Sequence, residues 1–180
     1  MTHDDQVKKW IEADKERMAA LRIAASLKLD DWCLSAGFVR NLIWDKLHDK
    51  AVSTPLNDID LIYFNPDVTD ESVDLSYESR LKSLSHHPWS VKNQARMHQR
   101  NHDLPYLSCS DAMSYWVEIE TSVGVTLIDN EITIVAPFGL TANFNKTITL
   151  NSKRPKPQAF TERVTSKKWC DLWPQLTLIS

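Results

Sequence analysis

Residues 57–64 read Asn57-Asp58-Ile59-Asp60-Leu61-Ile62-Tyr63-Phe64, alternating acid with apolar side chains and then running apolar. That is the pattern of a β-strand entering a core. Side chains at i and i+2 of a strand point the same way. Asp58 and Asp60 therefore project together, with Ile59 facing opposite. Two carboxylates held so close repel and tend to share a proton. A divalent cation relieves that repulsion, so the pair reads as a metal site suited to phosphate chemistry.

The surrounding chain supplies alternating helices and short strands. Asp4 or Asp5 is positioned to cap an N-terminal helix running to about Leu29, with Trp10, Ile11, Met18, Leu21 and Ala25 at helical spacing. Trp32 to Ala36 reads as a short buried strand ended by Gly37, and Phe38 to Leu47 as a helix. Thr54-Pro55 breaks the chain before the acidic strand. Asp74 to Leu84 has helical spacing, and Trp89 to Gln94 suits a strand. Ser110 or Asp111 is placed to cap a short helix through Trp116. Ser122 to Ile128 and Ile132 to Ala136 alternate as strands about an Asp129-Asn130 turn. Phe138-Gly139-Leu140 turns into another short helix. Lys153-Arg154-Pro155-Lys156-Pro157 is a basic, proline-rich connector to a C-terminal tail. The expected fold is α/β (α+β), a mixed sheet of about five strands flanked by helices. Residues 1–180 are expected to form one domain, with an N-terminal helix over 1–30 and a tail over 151–180 packing back.

A chain of 180 residues, 42% hydrophobic and 25% charged, can bury a core of that size. Its net charge of -3 argues against generic nucleic-acid binding, which rests on neutralising phosphates. Cys33, Cys109 and Cys170 lie far apart without a CxxC, as reduced thiols of a cytoplasmic protein do. The polar, acidic start is no signal peptide, and no apolar run approaches the roughly 20 residues of a membrane span.

The strand–glycine–helix order adds chemistry to the acidic pair. A glycine at such a turn lets backbone approach a ligand closely. The helix behind it offers free N–H groups and a positive dipole end to phosphate. Arg40, in the first helical turn, is a candidate bidentate phosphate contact. A Mg²⁺ on Asp58 and Asp60 would bridge the same phosphates. The segment is neither GxxxxGK[ST] nor GxGxxG.

Ala36-Gly37-Phe38-Val39-Arg40-Asn41 followed by Asp58-Ile59-Asp60-Leu61 resembles the Gly-Gly-x-Val-Arg-Asp and Asp-x-Asp signature of the polymerase-beta-type nucleotidyltransferases. The chain is similar to the head domains of CCA-adding enzymes and poly(A) polymerases. It resembles more specifically a family of small stand-alone bacterial nucleotidyltransferase-like proteins. Trp89 to His98, Ala136 to Leu140, Trp169 and Trp173-Pro174 extend the likeness over most of the chain from residue 32 onward. The resemblance implies transfer of a nucleotidyl group from an NTP, with two Mg²⁺ (or Mn²⁺) ions assisting in-line attack of an acceptor hydroxyl. It implies Asp58 and Asp60 as metal ligands and catalytic residues. Gly37, Phe38, Arg40, Asn41, Lys92 and Arg96 would lie at the nucleotide. Glu118 would be a third catalytic carboxylate, with Glu120 as runner-up; if the following strand starts early enough, both lie on one face. Phe38 is read as standing at the signature's second glycine, and a loop around Asp49 to Pro55 as an insertion. The acceptor, whether small molecule, protein or RNA, is left open, and no membrane partner is implied. A tRNA acceptor is not the default, because the chain stops before the helical RNA-binding regions of a CCA-adding enzyme.

Plainer roles stand beside several of these. Arg40 suits an ion pair with Asp45 or a strand acid as well as a phosphate contact, and Asn41 suits bracing of a turn. Lys92 and Arg96 fit a solvated strand face equally well. His86, His87, His98 and His102 have no standard zinc spacing, so zinc is not expected. The seven Trp are expected in core and tail packing, with base stacking by Trp44 or Trp89 as the lesser alternative, and the basic connector in solvent, with a nucleic-acid contact as the lesser alternative.

Overall fold

The computed structural model describes all of residues 1–180. Its centre is a five-stranded mixed sheet in the order β3-β2-β1-β4-β5. The strands are β1 (Trp32–Ser35), β2 (Ile59–Tyr63), β3 (Trp89–Asn93), β4 (Gly124–Ile128) and β5 (Glu131–Val135). Only β2 and β3 run parallel; β1 is antiparallel to β2 and β4, and β4 to β5. The parallel pair needs a crossover, and helix α4 (Glu71–Leu84) supplies it, capped by Asp70. The β4–β5 hairpin turns at Asp129 and Asn130, both at positive φ, as a tight two-residue turn requires.

One face of the sheet is the main core. Leu34, Ile59, Leu61, Val91 and Val125 alternate onto it. Helices cover them: α1 (His3–Glu12), α2 (Lys15–Ala25), α4, and α3 (Gly37–Leu47) through Phe38, Val39, Leu42 and Ile43. The opposite face carries Cys33, Ser35, Asp60, Ile62, Ser90 and Lys92, since alternate residues share a side. Cys33 and Ile62 pack there on Cys109 and Met113 of α6 (Cys109–Met113). The rest of that face lines a pocket.

The expected single N-terminal helix is two helices. Ala13 ends α1, and Asp14 caps α2 by accepting from the Arg17 backbone N–H at 3.0 Å. Thr2, not Asp4 or Asp5, caps α1 in a reciprocal box with Asp5. Ser108 rather than Ser110 or Asp111 caps α6, because its hydroxyl reaches the Asp111 N–H at 2.9 Å. Asp45 holds the expected insertion down by accepting from the backbone and hydroxyl of Thr54 at 2.7 and 2.6 Å.

Beyond the sheet, α5 (Met97–Asn101) follows β3, and α7 (Thr141–Phe144) follows β5. The tail contains β6 (Thr147–Thr149), α8 (Pro157–Lys167), α9 (Trp169–Leu172) and β7 (Thr177–Ile179). β6 and β7 form a second, parallel two-stranded sheet that the sequence pattern did not announce. A separate aromatic cluster of Trp44, Phe160, Trp169 and Trp173 pins the tail to α3. The Trp173 indole N–H donates to Asp45 at 2.8 Å, completing that anchor. No helix is long and apolar enough to cross a membrane.

Candidate functional site

The pocket on the second sheet face has a volume of about 360 Å³. Strand register builds its floor. Ser35 of β1 pairs with Asp60 of β2, and Asp60 with Ser90 of β3, so three short polar side chains lie abreast. Lys92, two residues beyond Ser90, continues the row. Ser35 and Ala36 bring the start of α3 to the same floor. Glu118, Thr121, Lys156 and Arg163 form the facing wall, with Arg100 also at the pocket.

The turn into α3 is sharp at a residue other than the expected one. Ala36 takes φ 57° and ψ -124°, a conformation costly for a side chain bearing Cβ. Its N–H donates to the Val123 carbonyl at 2.8 Å, and its own carbonyl accepts from the Arg40 N–H at 2.9 Å. Ala36, not Phe38, therefore occupies the position where a further glycine would relieve the backbone. No side chain caps α3, and the first N–H groups of a helix have no intrahelical acceptor. Gly37 packs against the side chains it precedes: a Cβ there would sit 3.3 Å from Asn41 Nδ2 and 3.4 Å from an Arg40 nitrogen.

Asp58 is exposed at the mouth of β2, and Asp60 is half-buried at the pocket floor. Neither carboxylate has a hydrogen-bond or ion-pair partner in the protein, whereas Asp14, Asp45, Asp74 and Asp103 all have one. Burial first, and then the Asp58 charge, raise the Asp60 pKa above the ordinary carboxylate range. The charges of Lys92, Arg40 and Lys167 pull it the other way. These are the conditions under which a hard cation is welcome. Magnesium is commonly held by one or two carboxylates, waters and the substrate's phosphates, and this donor set fits that description. No third His, Cys, Asp or Glu joins the two to form a larger metal cluster.

The expected third acids are committed elsewhere. Glu118, 1% exposed, accepts from Arg163 Nε at 2.6 Å through Oε1 and from the Thr121 hydroxyl at 2.8 Å through Oε2. Glu120 lies in a 3₁₀ turn (Ile119–Thr121) rather than a strand, so the two do not share a strand face. It turns toward the small sheet and accepts from the Thr147 hydroxyl, the Thr149 hydroxyl and the Thr149 N–H at 2.7, 2.6 and 2.7 Å. Burial raises the Glu120 pKa, and those threonine bonds oppose the shift.

Several expected nucleotide contacts are structural in this geometry. Arg40 is buried between the rings of Trp44 and Trp169, at 5.1 and 4.5 Å from their centroids. It donates to the Thr121 hydroxyl at 2.9 Å and twice to Asn41 Oδ1, at 3.2 and 2.9 Å. It pairs with no carboxylate, Asp45 included, and burial pulls its pKa down to about 10 against the opposing charge of Glu118. Asn41 thus braces Arg40. The Phe38 ring points into the main core, with the Arg17 guanidinium 5.5 Å above it. Arg96 turns away from the pocket to pair with buried Asp74, which also accepts from Tyr63 and from the Asn93 N–H. Lys92 alone of the two β3-segment cations reaches the pocket. The residues that sequence reasoning missed are Ser35, Ser90, Arg100, Lys156 and Arg163. Only the alternation of β1 and β3 signalled the serines; Lys156 stands in the basic run read as a solvated connector, and nothing local signalled Arg163.

A family model described as nucleotidyltransferase matches residues 22–178 of this chain. An NMR structure described as revealing a CCA-adding enzyme head domain superposes with a TM-score of 0.82 at 31% identity. That match covers 98% of this chain and 95% of the other. A CCA-adding enzyme in complex with CTP gives a TM-score of 0.58 at 10% identity, covering all of this chain and 44% of that one. A tRNA-processing enzyme complex gives 0.55 at 15% identity, covering 89% of this chain and 43% of that one. The latter two likenesses are of fold, and this chain spans less than half the length of either. Comparison with curated proteins gives no match.

Proposed function

The chain belongs to the nucleotidyltransferase family, within the polymerase-beta superfamily, and we propose that it transfers a nucleotidyl group from an NTP to an acceptor with the help of Mg²⁺ or Mn²⁺. The observation that carries this reading is the unpartnered Asp58 and Asp60 beside a pocket with a cationic far wall. Asp58 and Asp60 would hold the ion. Bound there, it would draw charge from the phosphates and acidify an acceptor hydroxyl. The first turn of α3, beginning at Gly37, would receive a phosphate on its free N–H groups. Lys92 would take another phosphate oxygen, and Ser35 and Ser90 flank the carboxylate on the pocket floor. The acceptor oxygen, its proton passing to solvent, would bond to the α-phosphorus as the bond to the β-phosphate bridging oxygen breaks, and pyrophosphate would depart. Arg40 and Asn41 act in this reading as a brace beneath the loop, and Phe38 as a core anchor. The unit proposed to act is 1–180 as one domain, in the cytoplasm, on a small molecule, protein or RNA.

Incubation with each NTP, Mg²⁺ and a pool of acceptors tests this through pyrophosphate release. Asp58→Asn is expected to abolish the release, and undiminished release in that variant overturns the reading. The engagement of both Glu118 and Glu120 favours a second reading, a nucleotide-binding module with weak or no turnover. Metal-dependent NTP binding without pyrophosphate release under any acceptor would select it.

A further inference from the structure

The basic connector and α8 are the segment to which the family signature gives no task. Four of their cations, Lys153, Arg154, Lys156 and Arg163, make contacts in the protein. Lys153 Nζ donates to the Ser114 hydroxyl at 2.6 Å and lies 4.1 Å from the Tyr115 ring centroid. Arg154 Nε donates to Asp103 at 2.8 Å. Those two cations anchor the connector to the body. Lys156 and Arg163 are free of that duty, and both line the pocket that holds Asp60.

Lys156 has no carboxylate partner, only the Tyr115 carbonyl at 3.5 Å, and burial lowers its pKa. Arg163 is aimed. Its Nε and one terminal nitrogen meet the two Glu118 oxygens at 2.6 and 3.3 Å, and its guanidinium lies 5.6 Å from the Trp169 ring centroid. Its other terminal nitrogen has no partner in the protein, and the side chain is 35% exposed. Behind it, Glu118 accepts from Thr121, and Thr121 accepts from Arg40 in its tryptophan cage. A guanidinium held on one edge and open on the other is pre-organised to take phosphate oxygens.

We propose that Lys156 and Arg163 join Lys92 as phosphate-contacting cations of this site, and that Glu118 is a positioning residue that holds Arg163 for the task. The inference rests on the nucleotide reading above and deepens it. The tail is then part of the binding site, and the signature arginine, Arg40, acts on phosphate only through the chain Arg40–Thr121–Glu118–Arg163.

Calorimetric titration of the full chain with an NTP, the matching NMP and the free nucleoside tests the assignment. Arg163→Ala is expected to weaken NTP binding by about tenfold or more while leaving nucleoside binding unchanged, and Arg163→Lys by less. Lys156→Ala should weaken NTP binding by several-fold, and Arg154→Ala not at all. Glu118→Gln should also weaken NTP binding, and adding it to Arg163→Ala should cost little more, since the two act as one unit. Wild-type NTP affinity in Arg163→Lys and Lys156→Ala, or equal losses for NTP and nucleoside in variants with unchanged melting, overturns the assignment. A wild-type chain that binds no NTP overturns the nucleotide reading beneath it.

Discussion

The two walls of the pocket are built in different ways. The sheet wall, from Ser35 through Asp60 to Ser90, arises from strands whose register places short polar side chains side by side. The tail wall, Glu118 with Lys156 and Arg163, exists because an aromatic cluster folds residues 160–176 back against α3 while Lys153 and Arg154 anchor the connector. Asp60 stands in the first wall and Asp58 is exposed at its strand mouth, both without partners. The cations of the second are held by residues 30 to 50 positions away. A signature motif thus marks where the backbone bends and where an ion can sit. It marks the charge opposite less well: Arg40 and Arg96 are consumed by the fold.

The largest effect is expected from cutting the tail wall loose. Trp169 is 3% exposed and packs edge-on to Trp44, with the Arg40 and Arg163 guanidiniums 4.5 and 5.6 Å from its ring centroid. Trp169→Ala should lower unfolding stability by about 3–5 kcal/mol, read from denaturant midpoints. A loss under ~1 kcal/mol would mean that the tail is not integral to the fold. The corresponding blow to the sheet wall is Gly124→Ala, since Gly124 lies beside Ser35 and a Cβ there would meet Cys33 Sγ at 2.6 Å. It should cost about 1–3 kcal/mol, with part recovered when Cys33→Ala is added.

A smaller, pH-dependent effect belongs to the connector. Burial raises the Asp103 pKa, but the Tyr106 hydroxyl and the Arg154 guanidinium outweigh it and hold the net value below the ordinary range. Its stabilising contribution is therefore full above the unfolded carboxylate pKa of about 3.9 and is lost as pH falls through the lower folded value. Asp103→Asn should cost about 1 kcal/mol at pH 7, with the half-exposed Arg154 limiting the pair, and should flatten the acid limb of the stability curve. An acid limb as steep in the variant as in the wild type contradicts this. The smallest effect is a gain. Ala36→Gly relieves the positive φ at the loop and should raise stability by about 1 kcal/mol in thermal melts, whereas a fall would show that the alanine packs more than it strains.

The same contrast explains what was legible in the sequence. β1, α3, β2 and the β4–β5 hairpin were readable because alternation, helical spacing and turn residues are local signals. The joint at Ala13-Asp14 was missed because apolar spacing continues across it while Asp14 quietly restarts the helix. The Asp58–Asp60 pair was visible for the same local reason. The Glu118 and Glu120 surroundings were not, because a 3₁₀ turn breaks the period that a strand reading assumes. β7, Lys156 and Arg163 depend on contacts across the whole chain, and the proline-rich basic run that carries Lys156 reads as a linker until Phe160, Trp169 and Trp173 are seen to clamp it.

The most direct test of the acidic wall is NTP affinity measured with and without Mg²⁺, in the wild-type chain and in Asp60→Asn. Magnesium is expected to tighten binding to the wild type, and that tightening should vanish in the variant. An equal Mg²⁺ effect in both proteins would contradict the placement of the ion at Asp58 and Asp60.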